Sequence, residues 1–357
     1  MSFQRIRYVD AKRRINARPI SRFRRIANEK DGLRDRPKQR ERVLEDRPRD
    51  RPTVMSESRS SLESVNRIEP THLERTPESI ADVVAEISGT TATLDAALHP
   101  TTVANLANIA RIMNSYYSNF IDGNDTRPRD IERALAGQLG GSEHDRDLQR
   151  EAAAHVRVQA TIDELAVHEK IDEPGSREFV MWLHRRFYKG VPIAILRLKR
   201  PSGAIVMKPG AFRAMAADDV AVGRHLPPSS SRVNAFMQHF ESRYWFSDLG
   251  KAARIVAMAA AHHRLNYIHP FPDGNGRVSR FMSHAMVHRA HIGAHGLWSV
   301  SRGLARGLIS RNDYMRMMNL ADTPRQGALG VAVISYKRPS KSSFFGSCAS
   351  VFIKSDL

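Results

Sequence analysis

The stretch HPFPDGNGRVSR, residues 269–280, lies between two segments of helical periodicity, KAARIVAMAAAHHRL (251–265) and GRVSRFMSHAMVHRA (276–290). The glycines on either side of Asn275 let several backbone N–H groups converge on one point. The helix that follows directs its positive end at the same point. The sequence therefore predicts an anion-binding loop that joins two helices of a mainly α-helical domain.

The charged side chains of this loop indicate more than a turn. Arg277 and Arg280 are three residues apart on one helix face, and cations at a helix N-terminus oppose the helix dipole unless an anion is bound there. Asp273 offers a hard oxygen ligand for Mg²⁺ on a polyphosphate. His269 can take a proton near neutral pH. The alternative is a turn built from Pro, Asp, Gly and Asn, but a turn would not require both arginines and the histidine.

The stretch resembles the signature of Fic-domain proteins, His-x-Phe-x-Asp/Glu-Gly-Asn-Gly-Arg-x-x-Arg, at every specified position. Three further stretches look like other parts of that family. LHRRFY (183–188) is similar to its upstream helix, KPGAFR (208–213) to the entry of its flap, and HLPP (225–228) to the exit. The resemblance covers about residues 75–320 and implies a mainly α, helical Fic-type domain with a short β-hairpin flap beside the active-site loop.

The resemblance implies an enzyme that moves AMP from ATP, with Mg²⁺, to a Ser, Thr or Tyr hydroxyl of a protein target. His269 would be the base, Asp273 the Mg²⁺ ligand and Phe271 the anchor of the loop. The phosphate-binding residues would be Gly274, Asn275, Gly276, Arg277 and Arg280. A strand exposed between 213 and 225 would pair with the target's backbone. Self-modification is a further expectation, although we interpret Tyr116 and Tyr117 as packing residues.

The stretch SNFIDG (118–123) resembles the family's inhibitory helix, Ser/Thr-x-x-x-Glu-Gly/Asn, in which the glutamate pairs with the second arginine of the loop. Ser118, Asp122 and Gly123 occupy the matching positions, with aspartate in place of glutamate. Aspartate is shorter by one C–C bond, so we expect a bridging water or a loose contact with Arg280, and partial self-inhibition. The alternative is that Asp122 and Gly123 simply end a helix.

The N-terminal part of the chain has a different composition. Residues 1–54 carry 18 Lys and Arg against 8 Asp and Glu, so they hold more than half of the net charge of +18. Few residues there are apolar, which predicts a disordered basic tail over 1–70. The tail is either solvated, the product of an early start before Met55, or an arm that contacts RNA or membrane lipid. We expect nucleic-acid contacts at this tail alone, and no membrane span.

The rest of the sequence predicts a series of helices that one short hairpin interrupts. We expect an N-terminal helical region at 71–145, a catalytic domain at 146–325 and an irregular tail at 326–357, and we interpret the abrupt change at this tail as the mark of a truncation or frameshift. The predicted helices are 76–89, closed by Gly89, and 102–121, 128–137, 147–169, 176–188, 230–244, 249–266, 296–307 and 309–319. PIAILRLKRPSGAIVMKPGAF (192–212) alternates around a Pro-Ser-Gly turn, which predicts a β-hairpin.

The sequence gives little support for a disulfide or a metal site elsewhere in the chain. One cysteine, Cys348, excludes an internal disulfide or a cysteine zinc cluster and favours a cytoplasmic protein. His262 and His263 are adjacent and so point to different faces of a helix. The runner-up function is a regulator that binds nucleotide or nucleic acid without transfer, and the loop alone does not decide which phosphate-bearing group is moved or to which target.

Overall fold

The computed structural model describes residues 63–69, 78–200, 203–223 and 225–307, together with 314, 316, 318, 319, 321 and 322. Residues 1–62 of the predicted basic tail and the predicted irregular tail at 326–357 lie outside the described residues.

The described residues form ten α-helical segments and one hairpin. The helices are α1 (Glu78–Ala97), α2 (Pro100–Ile121), α3 (Pro128–Leu135), α4 (Glu143–Val167), α5 (Arg177–Phe187), the single turn α6 (Ile193–Leu196), α7 (Ser230–Arg243), α8 (Lys251–Ile268), α9 (Asn275–Arg289) and α10 (Val300–Gly307). The strands are β1 (Arg197–Arg200) and β2 (Gly203–Val206), and 3₁₀ turns lie at Val65–Ile68, Ala216–Asp218, Phe246–Asp248 and Ala294–Gly296. The mainly α fold with a short hairpin is confirmed.

Helix α9 is the centre of the core. It packs against α4, α5, α8 and α10, and its residues from Val278 to Val287 are all buried. Its apolar residues, among them Phe281 and Met286, join the main hydrophobic core. Burial on all sides also encloses polar groups, including Arg280 and His284. Because buried polar groups need partners, the helices around α9 must supply them, and this requirement shapes the site.

Helices α2, α3 and α4 form a layer on one side of α9. The N-terminus of α4 is closed by a capping box in which Ser142 and Asp145 satisfy each other's backbone N–H groups. A small second cluster of Ile131, Ala152 and Val156 joins α3 to α4, with Tyr116 of α2 packed against it. Because α4 begins at Glu143, the predicted domain boundary at 145 falls within its first turn.

The hairpin lies beside the loop at 269–276. β1 and β2 are antiparallel, with Leu198 opposite Ile205 and Arg200 opposite Gly203. Arg200 donates from Nη2 to the carbonyl oxygen of Pro272 at 2.6 Å. The hairpin thus holds one side of the loop. Its strands lie within the predicted range 192–212, but the first residues of that range form the helical turn α6.

Residues 63–69 pack on the domain before the predicted end of the tail at 70. Ile68 is fully buried in the main core, and the hydroxyl of Tyr244 donates to its carbonyl oxygen at 3.4 Å. Glu69 accepts hydrogen bonds from His239 and Arg243 of α7. A segment of low hydrophobicity can therefore be held by one apolar anchor and one ion-pair cluster.

Two details of the predicted secondary structure were wrong. α1 continues through Gly89 to Ala97, because an exposed helix tolerates the roughly 1 kcal/mol cost of a glycine when buried residues such as Ile87 and Thr91 hold it on both sides. The described residues of segment 213–225 contain no strand. They form a 3₁₀ turn and an isolated bridge between Val222 and His225.

None of the described helices combines the length and the apolar character needed to cross a membrane.

Candidate active site

The loop at 269–276 is closed by its own asparagine. The side-chain oxygen of Asn275 accepts from the N–H of Phe271, and its amide nitrogen donates to the carbonyl oxygen of Phe271, both at 2.8 Å. Phe271 is fully buried and stacks on the ring of His184, with centroids 4.0 Å apart. The loop is thus a rigid bend anchored in the core, as the anchor role of Phe271 predicts.

Gly274 meets a steric requirement in this bend. Its φ is +78°, and a Cβ at this position would lie 2.8 Å from the hydroxyl of Tyr188. A side chain is therefore excluded both by backbone conformation and by the neighbouring ring. The hydroxyl of Tyr188 in turn donates to Oδ2 of Asp273 at 3.0 Å, so the tyrosine fixes the acid next to the glycine.

His184 joins the loop to the segment after the hairpin. The N–H of Gly210 donates to Nδ1 of His184 at 2.8 Å, and Nε2 lies 3.2 Å from the carbonyl oxygen of Asp273. Because Nδ1 accepts, the ring proton is on Nε2 and is donated to Asp273. Burial lowers the pKa of His184 to about 4. A neutral histidine of fixed tautomer therefore sets the backbone position of Asp273.

His269 follows the last residue of α8 in a left-handed conformation, with φ +50° and ψ +57°. Such a backbone costs about 1–2 kcal/mol for a residue with a Cβ, so it needs support from its surroundings. Arg213, which is 2% exposed, donates from Nε to the carbonyl oxygen of His269 and from its backbone N–H to that of Pro270, both at 2.8 Å. The buried arginine therefore holds His269 at the start of the loop.

The imidazole of His269 is neutral near pH 7. Burial and, to a smaller extent, the nearby Arg213 guanidinium and His225 together lower its pKa to about 3, although a hydrogen bond to the backbone of Asn266 opposes them. A neutral ring that gives one N–H to a carbonyl has its other nitrogen free to accept a proton. This is the protonation state that the role of a base requires.

The two arginines of the loop share one carboxylate. Arg280 donates from Nη2 to Oδ2 of Asp122 at 2.6 Å and from Nε to the hydroxyl oxygen of Ser118 at 2.8 Å. Arg277 directs its Nε at the same Oδ2 at 3.4 Å. Ser118 and Asp122 therefore contact the same guanidinium from one helix face.

The expectation of a loose or water-bridged contact between Asp122 and Arg280 was wrong. Asp122 follows the last residue of α2, and its N–H still bonds back to Ser118, while Gly123 turns away with φ +86°. The helix end thus brings the shorter side chain close enough for direct contact. Asp122 and Gly123 end the helix, and Asp122 also supplies the carboxylate that binds Arg280. The two interpretations of this stretch are therefore compatible.

The carboxylate of Asp122 lies over the start of α9. A Cβ built on Gly276 would be 3.5 Å from Oδ1 of Asp122 and 3.2 Å from Nη1 of Arg280. The absence of a side chain at Gly276 therefore leaves the helix N-terminus open to an anionic group, and here that group is the carboxylate.

Glu151 of α4 is a site residue that the sequence patterns did not identify. Its Oε2 lies 3.1 Å from Nη1 of Arg277. Burial raises the pKa of Glu151, and the charge of Arg277 opposes this. The pKa of Arg277 is lowered by burial, but Glu151, Tyr188, Asp122 and Asp273 together raise it above its usual value. Arg277 also lies 5.0 Å from the ring centroid of Phe187.

Asp273 fits the role of a Mg²⁺ ligand. Tyr188 donates to Oδ2 of its carboxylate, which leaves Oδ1 for a hard cation. Mg²⁺ bound to nucleotide phosphates commonly takes one or two protein carboxylates, so the donor set of this loop is sufficient.

The structure brings the predicted residues together around one point. His269, Asp273 and residues 274–280 form the loop and the first turns of α9. Ser118 and Asp122 reach this loop from α2. His184, Tyr188 and Arg213 lie in the stretches LHRRFY and KPGAFR, but their supporting contacts became visible in the structure. Glu151 carries no signal in the sequence, since it lies within an ordinary amphipathic helix.

Comparison with known proteins finds similarity over part of the chain. Residues 174–287 match the family model described as Fic/DOC family. The chain is similar to a protein adenylyltransferase Fic of Aedes aegypti, with 40% identity over 85 residues, and to one of Drosophila melanogaster, with 42% identity over 82 residues. Each alignment covers 23% of this chain and 16% of the relative, so the chain spans about a sixth of the length of these relatives.

Two solved structures share the fold. One is a Fic family protein from Desulfovibrio desulfuricans G20, with a TM-score of 0.56 and 17% identity over 80% of this chain and 75% of that chain. The other is a Fic domain containing signaling protein from Bacteroides thetaiotaomicron VPI-5482, with a TM-score of 0.54 and 18% identity over 78% of this chain and 93% of that chain. These matches extend the shared fold well beyond residues 174–287.

Replacing Gly274 with alanine tests the loop geometry. Gly190 is a matched control, because its φ is +76° but a Cβ there would meet no atom within 4 Å. We expect Gly190→Ala to lower the free energy of unfolding by about 1–2 kcal/mol through backbone strain. We expect Gly274→Ala to cost about 1–3 kcal/mol more, because its Cβ also meets Tyr188. Urea denaturation measures both, and equal losses would contradict the close packing of Tyr188 on the loop.

Proposed function

We propose that this chain, which carries a Fic/DOC family domain at residues 174–287, is a protein adenylyltransferase that moves AMP from ATP to a protein hydroxyl. The observation that carries the proposal is a neutral base, His269, beside an anion-binding loop whose two arginines are held by a replaceable carboxylate. The relatives named protein adenylyltransferase Fic, matched over part of their length, support the same chemistry.

The nucleotide phosphates bind at the start of α9. The backbone N–H groups of residues 274–276 and the helix dipole attract them. Arg277 and Arg280 bind the outer phosphates once these displace Asp122. Asp273 would hold Mg²⁺, which would neutralise part of the phosphate charge when bound.

The transfer step requires one proton acceptor. The oxygen of the target hydroxyl attacks the α-phosphorus, and its proton passes to the free ring nitrogen of His269. The bond from the α-phosphorus to the bridging oxygen breaks, and pyrophosphate leaves with that oxygen. Positioning by the rigid loop provides much of the catalysis in such a reaction. The contacts of His184 and Arg213 with the loop backbone support this role.

Asp122 and Glu151 keep the enzyme partly inhibited. Asp122 occupies Arg280 and Arg277, and Glu151 holds Arg277 from the opposite helix. A nucleotide must break these ion pairs before its outer phosphates can bind. The direct 2.6 Å contact between Asp122 and Arg280 supports stronger inhibition than the sequence predicted.

The protein target docks beside the flap. Met215 and Val222 are exposed in the segment 213–225, and Val206 is exposed at the end of the hairpin. Arg213 and Asp219 form an ion pair at 2.9 Å that fixes the base of this segment. An extended target chain that lies along it would bring a hydroxyl toward His269, whose carbonyl oxygen accepts from Nε of Arg213 at 2.8 Å.

Replacing His269 with alanine separates chemistry from binding. We expect His269→Ala to abolish AMP transfer, by about 10²-fold or more, and to leave the Kd for ATP within about twofold, because the base acts on the hydroxyl. Mass spectrometry of the modified protein and calorimetry measure the two quantities. The control is His239→Ala, which removes a histidine of α7 that is paired with Glu69 at 2.7 Å. This variant should retain both AMP transfer and ATP binding. Parallel loss of transfer and binding in His269→Ala would instead indicate a structural histidine.

Removing the charge of Asp122 tests whether this carboxylate inhibits nucleotide binding. Asp122→Asn keeps the shape of the side chain but removes its charge, so Arg280 and Arg277 become available to phosphate. Hydrogen bonds to charged groups contribute about 1.5–3 kcal/mol, and we expect ATP to bind about tenfold more tightly and transfer to accelerate. Calorimetry with ATP and a transfer assay measure these effects.

The control for Asp122→Asn is Asp125→Asn, which makes the same change of charge at an exposed position of the same loop. It should leave both values unchanged. If the two variants bind ATP alike, Asp122 does not restrain the site.

A further inference from the structure

A second cluster of ionisable side chains lies apart from the anion loop, where α4 crosses the C-terminal half of α9. Nε2 of His284 is 2.6 Å from Oδ1 of Asp163, and Nε2 of His288 is 2.9 Å from the same oxygen. His284 and His288 are four residues apart, so they share one helix face. Their potential ligand atoms and that of Asp163 all lie within 4.8 Å of one another.

This cluster faces a cavity. Asp163 and His288 lie on the wall of an open cavity of about 1060 Å³ that is bordered by α2, α4 and the loop after α9. The remaining wall is mainly apolar, with Val103 and Ala107 of α2 and Ile171 among its residues, and none of the residues of the anion loop lines it. The cavity supplies both an entry route to the cluster and room for a water beside it.

The loop after α9 is shaped around the cluster. His291 and His295 have φ values of +56° and +54°, the left-handed region that residues with a Cβ rarely adopt, and both line the cavity. A Cβ on Gly293 would lie 2.6 Å from Nδ1 of His288, and one on Gly296 would lie 3.0 Å from Oδ2 of Asp163. The two glycines thus let the backbone pack closely against the side chains of His288 and Asp163. Strained histidines at such a place point to a function rather than to packing.

We propose that Asp163, His284 and His288 form a binding site for a first-row transition metal ion, with Zn²⁺ as the best-fitting example. Two imidazoles and one carboxylate are a usual zinc ligand set, and a fourth position occupied by water is common in open sites. The fourth position faces the cavity, where His291 and His295 lie at the rim.

The distances require a small expansion of the cluster. Ligand atoms about 2.0–2.1 Å from zinc in tetrahedral geometry lie roughly 3.3 Å apart. The two pairs at 2.6 and 2.9 Å must therefore open by about half an ångström. Each imidazole remains neutral if its proton moves to Nδ1, and the buried Nδ1 of His284 has no hydrogen-bond partner among the described residues. That shift therefore breaks no other hydrogen bond of this ring.

Arg111 is compatible with the metal. Its Nε lies 2.6 Å from Oδ2 of Asp163, so it uses the oxygen that the histidines do not contact. Oδ1 remains for the ion, and Arg111 becomes an outer-shell partner of the kind that orients a ligating carboxylate.

Arg111 also gives the site a connection to the rest of the molecule. It belongs to α2, the helix that ends at Asp122. A metal at Asp163 would thus be tied through one ion pair to the helix that carries the carboxylate on Arg280.

Calorimetric titration of the full chain with Zn²⁺ near neutral pH tests the proposal. We expect one site that is weakened by more than about 100-fold in His288→Asn and in Asp163→Asn, since loss of even an outer-shell partner costs about 10–100-fold. Two controls should retain the site. His239→Ala removes a histidine that is paired with a carboxylate elsewhere, and Asp273→Ala removes the acid of the anion loop. Equal affinities in all four variants, or loss of the site in Asp273→Ala alone, would overturn the proposal.

A second measurement on the unaltered chain covers the case in which a variant fails to fold. Co²⁺ in place of Zn²⁺ should give the visible absorption bands of a tetrahedral site with nitrogen and oxygen ligands, and Zn²⁺ should raise the Tm. A Co²⁺ spectrum indistinguishable from that of the hydrated ion would overturn the assignment.

Discussion

Two cations placed at the positive end of a buried helix govern the arrangement of this molecule. Arg277 and Arg280 lie in the first turns of α9, where the helix dipole disfavours them, and Arg280 is 3% exposed. They can remain there only beside negative charge. Asp122 supplies it from the end of α2, and Glu151 supplies it from α4. The packing of both helices against α9 therefore serves the charge balance of the site as much as the hydrophobic core.

Buried polar groups hold the geometry around these charges. His184 joins Gly210 to the carbonyl of Asp273, Arg213 supports the left-handed backbone of His269, and Asn275 closes the bend on Phe271. Each of these groups is fixed by contacts on at least two sides. A site of this kind is organised before any ligand arrives, so binding energy is not used to order it. This is the property expected of a loop that positions a phosphate for attack.

Much of the site could be predicted from the sequence because its signal is local. The turn residues, the helix start and the spacing of Arg277 and Arg280 all fall within residues 269–280, and Ser118 and Asp122 fall within one helical turn. Glu151 and Asp163 could not be predicted, since each is one acid on the long helix α4 and its partners on α9 lie more than a hundred residues away. The direct reach of Asp122 also depends on how α2 ends against α9, which no local pattern encodes. The flap segment was misread as a strand because the bridge between Val222 and His225 closes it on itself.

The central claim is that the anion loop transfers the adenylyl group of a nucleotide to protein. Incubation of the chain and candidate target proteins with Mg²⁺ and ATP labelled on either the α- or the γ-phosphate tests it most directly. The account predicts that the α-label becomes attached to protein, while the γ-label leaves as pyrophosphate. Attachment of the γ-label, or nucleotide that binds the loop without transfer of either label, would contradict the claim, and the second result would identify a nucleotide-binding regulator.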